Sequence, residues 1–133
     1  MARILIIEDD ALIARMYEAA FRFEKFEVDV AHNGKDGLEK LKKNRPSLIL
    51  LDIMMPKMNG IDVLKEMKAD PHSKGIPVVM LTNLSGSKDI EEALSLGAVK
   101  YIVKSKYKPK EVVAQIKEIL AGYTRNEVPQ TKS

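Results

Sequence analysis

Five short apolar segments alternate with five helical patterns along this chain, and that alternation limits the folds that it can adopt. The segments cover residues 4–7, 28–31, 48–51, 78–81 and 99–103. They are too short for helices, and most lack the polar alternation of a half-exposed strand, so they are typical of buried parallel strands. The helical patterns between them predict right-handed strand–helix–strand units.

The helical segments begin and end at recognisable residues. The first is predicted over about residues 11–23 with Asp10 as its N-cap. Its apolar residues at helical spacing are Leu12, Ile13, Met16, Ala20 and Phe23. The expected first residues or caps of the later helices are Asn33, Asn59, Ser87 and Pro109, and their expected ends include Asp70, Gly97 and Gly122. The fourth helix is expected to bury Ile90, Ala93 and Leu94.

The sequence therefore predicts an α/β protein with five parallel strands. The second segment is the least apolar, which places it at an edge, while the first, third and fourth are expected to be central. This favours the strand order 2-1-3-4-5, that is, the flavodoxin-like doubly wound (βα)5 three-layer sandwich. Residues 1–122 are interpreted as one domain, and residues 123–133 as a polar tail or the start of a linker.

Composition excludes several classes of function. The chain has 133 residues and no cysteine, so thiolate metal sites and cysteine nucleophiles are excluded. No apolar stretch approaches the roughly 18 residues of a membrane span, and there is no signal-peptide pattern, so we expect a cytoplasmic protein without membrane insertion. A net charge of +3 with 5% aromatic residues argues against direct nucleic-acid binding.

Carboxylates follow two of the predicted strands. Glu8 and Asp9 come directly after the first strand, and Asp52 comes directly after the third. The carboxyl ends of parallel strands meet at one edge of the sheet, so these groups are expected to form one acidic pocket. All-oxygen ligands favour a hard cation such as Mg²⁺. Thr82 and Lys104, after the fourth and fifth strands, would add a hydroxyl and an ammonium group to the same edge.

This arrangement resembles the receiver domain of two-component response regulators over about residues 1–122. The resemblance rests on five signals in one order along the chain: Glu8-Asp9, Asp52, Met55-Pro56 with Gly60, Thr82, and Tyr101 with Lys104. It implies a protein that receives a phosphoryl group from a histidine kinase or a phosphotransfer protein. The implied product is a phosphoprotein that acts on a downstream partner rather than as an enzyme.

The resemblance also implies a role for each matching residue. Asp52 would be the phosphoacceptor, and Lys104 would pair with the phosphoryl oxygens. Glu8, Asp9, Asp52 and the backbone carbonyl of Met54 would hold Mg²⁺. Thr82 would hydrogen-bond the phosphoryl group, and Tyr101 would change from exposed to buried as Thr82 moves. This change would alter the surface formed by the fourth helix, fifth strand and fifth helix. The resemblance is also compatible with a homodimer that forms on phosphorylation.

Two positions differ from the usual pattern of that family. Ser105 stands where proline usually follows the lysine, which favours a trans peptide because a cis bond before a non-proline residue costs about 2.5–4 kcal/mol. Asn83 stands where a small residue usually follows the threonine. We predict that Asn83, with Met54 and Leu84 nearby, changes the lifetime of the phosphorylated state.

Two alternative functions remain at this point. The first is a binding module on the same fold that acts without phosphorylation, although such a module has no need of Asp52 or Lys104. The second is a phosphohydrolase with an aspartyl nucleophile. Enzymes of that kind usually carry a second aspartate two residues after the first, and this chain has Met54 there.

Overall fold

A computed structural model of the chain describes residues 2–83 and 88–125, and of residues 123–125 it describes the backbone alone. Every predicted strand and helix is present within one or a few residues of its expected bounds. The strands are β1 (Arg3–Ile7), β2 (Glu27–Ala31), β3 (Leu48–Asp52), β4 (Val78–Thr82) and β5 (Lys100–Val103). The helices are α1 (Ala11–Phe23), α2 (Gly34–Lys43), α3 (Gly60–Ala69), α4 (Lys88–Ser95) and α5 (Pro109–Arg125), with a short 3₁₀ turn at Lys104–Lys106.

The five strands form one parallel sheet in the order β2-β1-β3-β4-β5, which confirms the predicted doubly wound topology. Strands β3 and β4 are buried along their whole length. β2 lies at an edge, as predicted, and carries acidic residues that pair with Arg3 of β1. The guanidinium of Arg3 lies 2.6 Å from Glu27 and 3.2 Å from Asp29. The apolar central strands therefore occupy the middle of the sheet and the charged strand its margin.

Two hydrophobic cores lie on opposite faces of the sheet, because alternate residues of each strand point to opposite sides. Leu5, Ile7, Ile49 and Leu51 face a core shared with α2, α3 and α4. Ile4, Ile6, Leu48 and Leu50 face a second core shared with α1 and α5. Helices cover both faces of the sheet, which explains why the central strands are continuous apolar runs in the sequence.

Side-chain caps fix where the helices start. The carboxylate of Asp10 accepts hydrogen bonds from the backbone N–H groups of Leu12 and Ile13, and the side chain of Asn33 accepts one from Asp36. Asn59 and Asp62 form a reciprocal capping box at the start of α3. These caps confirm the predicted beginnings of the first three helices. The predicted start of the fourth helix at Ser87 lies outside the described residues.

The apolar residues that predicted the first helix are only in part its buried face. Leu12, Met16 and Phe23 are 66%, 49% and 82% exposed, whereas Ile13 and Ala20 pack against the core. The fully buried residues of the helix are Ala14, Tyr17 and Phe21. The bounds of the helix were predicted correctly, and contact with the sheet decides which of its apolar residues become core.

Two further expectations are corrected at the later helices. Leu94 is 42% exposed, so α4 buries Ile90 and Ala93 without it. α5 does not end at Gly122 but continues to Arg125, because a single glycine near a helix end does not stop a helix unless it adopts a positive φ. Gly97 does adopt one, with φ of 107°, and it follows α4 as predicted. No helix among the described residues is both long and apolar enough to cross a membrane.

Candidate functional site

The carboxyl edge of the sheet carries the polar residues that follow the strands. Asp52 and Thr82 are the last residues of β3 and β4, Glu8 follows β1, and Lys104 follows β5. The strands are nearly level at this edge, since Ile7 pairs with Leu51, Asp52 with Leu81, and Thr82 with Val103. Four side chains that are far apart in the sequence are therefore brought to one rim.

Three carboxylates form the centre of this rim. Glu8, Asp9 and Asp52 each offer an oxygen, and these oxygens all lie within 4.8 Å of one another. Glu8 and Asp52 are buried at 0% and 2% exposure, whereas Asp9 is exposed. Such a donor set contains only oxygen and carries up to three negative charges, so it fits a hard divalent cation.

Lys104 reaches into the same cluster. Its ammonium Nζ lies 2.7 Å from Oε1 of Glu8 and 3.3 Å from Oδ1 of Asp52. The described residues contain no cis peptide bond, so the peptide before Ser105 is trans, as expected in the absence of proline. The 3₁₀ turn that begins at Lys104 follows β5 directly, and the lysine still meets both carboxylates.

The charges of the site act strongly on one another. Burial raises the pKa of Asp52 to about 8, the charge of Glu8 adds to that rise, and Lys104 opposes it. Burial acts to lower the pKa of Lys104, but its hydrogen bond with Glu8 and the charge of Asp52 outweigh burial, so the net shift is upward. The lysine is therefore firmly protonated, whereas the protonation of Asp52 depends on its neighbours.

Backbone contacts fix the two buried carboxylates. The backbone N–H of Asp10 donates to Oε2 of Glu8 at 3.1 Å, and that of Met54 donates to Oδ1 of Asp52 at 3.3 Å. The N–H of Gly60 donates to the carbonyl of Ile53 at 2.9 Å. A Cβ at Gly60 would collide with the backbone carbonyl of Asp52, so only glycine lets α3 start this close to the end of β3.

The remaining predicted residues lie at or beside this rim. Thr82 is buried at 2% exposure, while Asn83 is exposed and the side chain of Met54 is 54% exposed. Tyr101 is 36% exposed and lies within β5, opposite Met80, rather than at the rim itself. Leu84 lies outside the described residues.

Sequence reasoning missed Tyr17. This residue is 4% exposed on the sheet-facing side of α1, and it lines a small cavity together with Lys104. Its spacing from Ala14 and Phe21 is helical, so the sequence contained a signal for its burial. Nothing in the sequence indicated that the tyrosine would lie beside Lys104, the charged residue that follows the last strand.

Comparison with known proteins identifies the family and the fold. The family model of the response regulator receiver domain matches residues 4–117. The chain belongs to this family. Receiver domains of response regulators are signalling proteins.

Curated relatives of this receiver domain are longer proteins. The DNA-binding response regulator MtrA of Mycobacterium tuberculosis is 43% identical over 115 residues, which cover 86% of this chain and 49% of that protein. MtrA of Mycolicibacterium smegmatis is 41% identical over 125 residues, covering 94% of this chain and 52% of that protein. The chain thus spans about half the length of the curated relatives that it matches.

Solved receiver structures superpose closely on this chain. A CheY-like receiver domain protein from Methanospirillum hungatei has a TM-score of 0.87 at 29% identity, covering 96% of this chain and 99% of the other. The chemotaxis response regulator CheY4 of Vibrio cholerae has a TM-score of 0.83 at 27% identity, covering 90% and 98%. These neighbours confirm the predicted fold over nearly the whole chain.

Proposed function

We propose that Asp52 accepts a phosphoryl group from a histidine kinase or a phosphotransfer protein, and that the phosphorylated form signals to a downstream protein. The observation that carries this proposal is the placement of Asp52 between two carboxylates and Lys104 on the sheet rim. A buried acid surrounded by other acids is a poor structural choice, because it raises the pKa of Asp52 and destabilises its charged form.

In the proposed reaction, a carboxylate oxygen of Asp52 attacks the phosphorus of a phosphohistidine. The bond between phosphorus and the imidazole nitrogen breaks, an acyl phosphate forms on Asp52, and the imidazole leaves with the bonding electron pair. Lys104 already lies 3.3 Å from Asp52, so a small shift of its ammonium would pair it with a phosphoryl oxygen. Thr82, on the neighbouring strand, would hydrogen-bond another phosphoryl oxygen.

Glu8, Asp9 and Asp52, with the backbone carbonyl of Met54, would hold Mg²⁺ at this site. The bound cation supplies positive charge beside the carboxylates and the incoming phosphoryl oxygens. The fit rests on the three carboxylate oxygens that lie within 4.8 Å of one another. The hydrogen bond from the N–H of Asp10 holds Glu8, and the ion pair with Lys104 holds it from the opposite side.

The proposed output is a change in the surface formed by α4, β5 and α5. Thr82 and Tyr101 lie on the paired strands β4 and β5. Movement of Thr82 toward the phosphoryl group would vacate space, and Tyr101, now 36% exposed, would turn inward to fill it. The charge of the phosphoryl group would favour the changed surface.

The lifetime of the phosphorylated state is proposed to depend on residues around the rim. The exposed side chains of Asn83 and Met54 follow two of the strands that carry the site. Asn83 would limit the approach of water to the acyl phosphate or hydrogen-bond its oxygens. Turnover in the enzymatic sense is not proposed: the activity consists of magnesium-dependent self-phosphorylation and slow loss of phosphate.

The test is the intact mass of the protein after incubation with acetyl phosphate and Mg²⁺. We expect one phosphoryl adduct on the wild-type protein and none on Asp52→Asn or in EDTA. Asp36→Asn, at a carboxylate on the surface helix α2, is the matched control and should retain the adduct. An unmodified wild-type protein, also after incubation with phosphorylated histidine kinases, would refute the proposal and favour a binding module that acts without phosphorylation.

A further inference from the structure

Tyr17 is a buried polar residue beside the site that the proposed reaction does not use. Its side chain is 4% exposed, on the face of α1 that packs on the sheet. Buried tyrosine hydroxyls usually have a hydrogen-bond partner. No hydrogen bond joins the hydroxyl of Tyr17 to any residue that the structure describes. The ring is therefore the part of Tyr17 that acts on its described neighbours.

A small cavity links this tyrosine to the lysine of the site. The cavity has a volume of about 120 Å³ and is lined by Ile13, Met16, Tyr17, Lys104, Tyr107 and Pro109. Helix α1 forms one part of its wall, and the segment after β5 with the first residue of α5 forms the other. The cavity is several times larger than a water molecule, and the ring of Tyr17 is one of the walls that limit the space beside the lysine side chain.

Electrostatics place the phenol near the charged cluster. Burial raises the pKa of Tyr17, the charge of Lys104 opposes that rise, and the charges of Glu8 and Asp52 add to it. The phenol group therefore lies within electrostatic reach of Lys104, Glu8 and Asp52. The same ring packs in the core that contains Ile4, so its position is fixed from the side of the sheet.

Lys104 needs such a fixed neighbour. A lysine side chain has four rotatable carbon–carbon bonds and loses much rotational freedom when it is held in one place. The 3₁₀ turn after β5 contains no proline, and its peptide bonds are trans, so the backbone of this turn is less constrained than one containing proline. Even so, the lysine side chain is only 9% exposed and meets both Glu8 and Asp52.

We propose that Tyr17 is a positioning residue for Lys104, whose ring closes the side of the cavity into which the lysine would otherwise turn. The ring keeps the ammonium at the carboxylates, where it can pair with a phosphoryl oxygen. The predicted effect of Tyr17 on the rate of phosphorylation rests on the proposed phosphoacceptor function. Its structural part, the restraint of Lys104, can be measured without any phosphoryl transfer.

The kinetic test compares Tyr17→Val, Tyr17→Phe and Lys104→Gln, alone and combined, for the rate of phosphorylation by acetyl phosphate. Because small displacements of a catalytic group reduce rates strongly, Tyr17→Val should slow phosphorylation by about tenfold or more. Tyr17→Phe keeps the ring and should stay within about twofold of wild type. In the Lys104→Gln background, Tyr17→Val should cause no further loss, because both changes act on the same interaction.

A spectroscopic test follows the lysine directly. The NMR signals of the Cε methylene of Lys104, assigned by their loss in Lys104→Gln, should move toward those of free lysine in Tyr17→Val and stay unchanged in Tyr17→Phe. The matched control is Phe21→Val, which removes a buried ring from the same face of α1 one turn further along. It should destabilise the fold but leave the Lys104 signals and the rate per folded molecule unchanged.

The outcomes separate this inference from the proposed function. If the wild-type protein takes no phosphoryl group, the proposed function fails, and the NMR comparison alone decides whether Tyr17 restrains Lys104. If the wild type is phosphorylated but the losses from Tyr17→Val and Lys104→Gln simply add, the inference is wrong. Unchanged Lys104 signals in Tyr17→Val would also overturn it. Should Tyr17→Val not fold, Tyr17→Leu, which keeps more apolar volume, replaces it in both tests.

Discussion

Replacing Asp52 by asparagine should stabilise the cation-free protein. Asp52 lies within 4.8 Å of both Glu8 and Asp9. At an effective dielectric constant near 20, each like-charge pair at that distance costs about 3–4 kcal/mol. Lys104, at 3.3 Å, returns about 5 kcal/mol on the same scale. The two repulsions exceed the one attraction, and burial adds to the deficit. Once Asp52 is ionised, above about pH 8, Asp52→Asn should therefore raise the free energy of unfolding by about 2 kcal/mol.

The size of this gain should depend on pH in a defined direction. The pKa of Asp52 is raised from 3.8 to about 8 in the folded protein. Below about pH 4 the carboxyl is protonated in both states and contributes no difference. Between about pH 4 and about pH 8 the unfolded chain releases the proton while the folded protein retains it, so the wild type loses stability as pH rises. Asp52→Asn has no such proton, and the gap between the two proteins should widen over that range.

The assay is urea unfolding followed by circular dichroism in EDTA, at several pH values from about 4.5 to about 8.5. The matched control is Glu118→Gln, which removes an exposed carboxylate from α5 and should change stability little at any pH. Added Mg²⁺ should stabilise the wild type more than Asp52→Asn. A wild type as stable as the variant near pH 8, or a gap of constant size across the range, would refute the electrostatic reasoning.

Three further predictions concern the same rim. Lys104→Gln should bind Mg²⁺ more tightly by isothermal titration calorimetry, by about fivefold or more, because it removes an ammonium 2.7 Å from Glu8; weaker binding would contradict this. Gly60→Ala should lower stability by about 1–3 kcal/mol in thermal melting, since its Cβ meets the backbone of Asp52, whereas Gly75→Ala, with open space around it, should not. Asn83→Ala should change the rate at which radiolabelled phosphate is lost from the protein, and an unchanged lifetime would exclude the proposed role of Asn83.

The sequence was sufficient to predict the order of the strands and the residues of the rim. Central strands buried on both faces must be continuously apolar, so residues 48–51 and 78–81 stand out without any knowledge of the structure. Residues that follow parallel strands necessarily meet at one edge. Glu8, Asp52 and Lys104 could therefore be placed together before any distance was known.

The sequence was not sufficient to predict which side of a helix is buried. α1 has one apolar stripe through Met16 and another through Tyr17, and both satisfy the helical period. The choice depends on how the helix packs against the sheet and α5, which is a property of the whole core. Leu94 failed for the same reason on the shorter helix α4. Tyr17 and Lys104 line the same cavity but lie far apart in the sequence. No local sequence pattern therefore predicts that they come close together.

The ion pair between Lys104 and Glu8 also has a consequence for how the protein is made. These residues are 96 positions apart, at the ends of the first and the last strand. A ribosome must therefore synthesise most of the domain before the pair can form. A nascent or partly unfolded chain retains the acidic residues without their counter-charge. Under the proposed function, Lys104 therefore reaches the phosphoacceptor only in a chain whose last strand has been made.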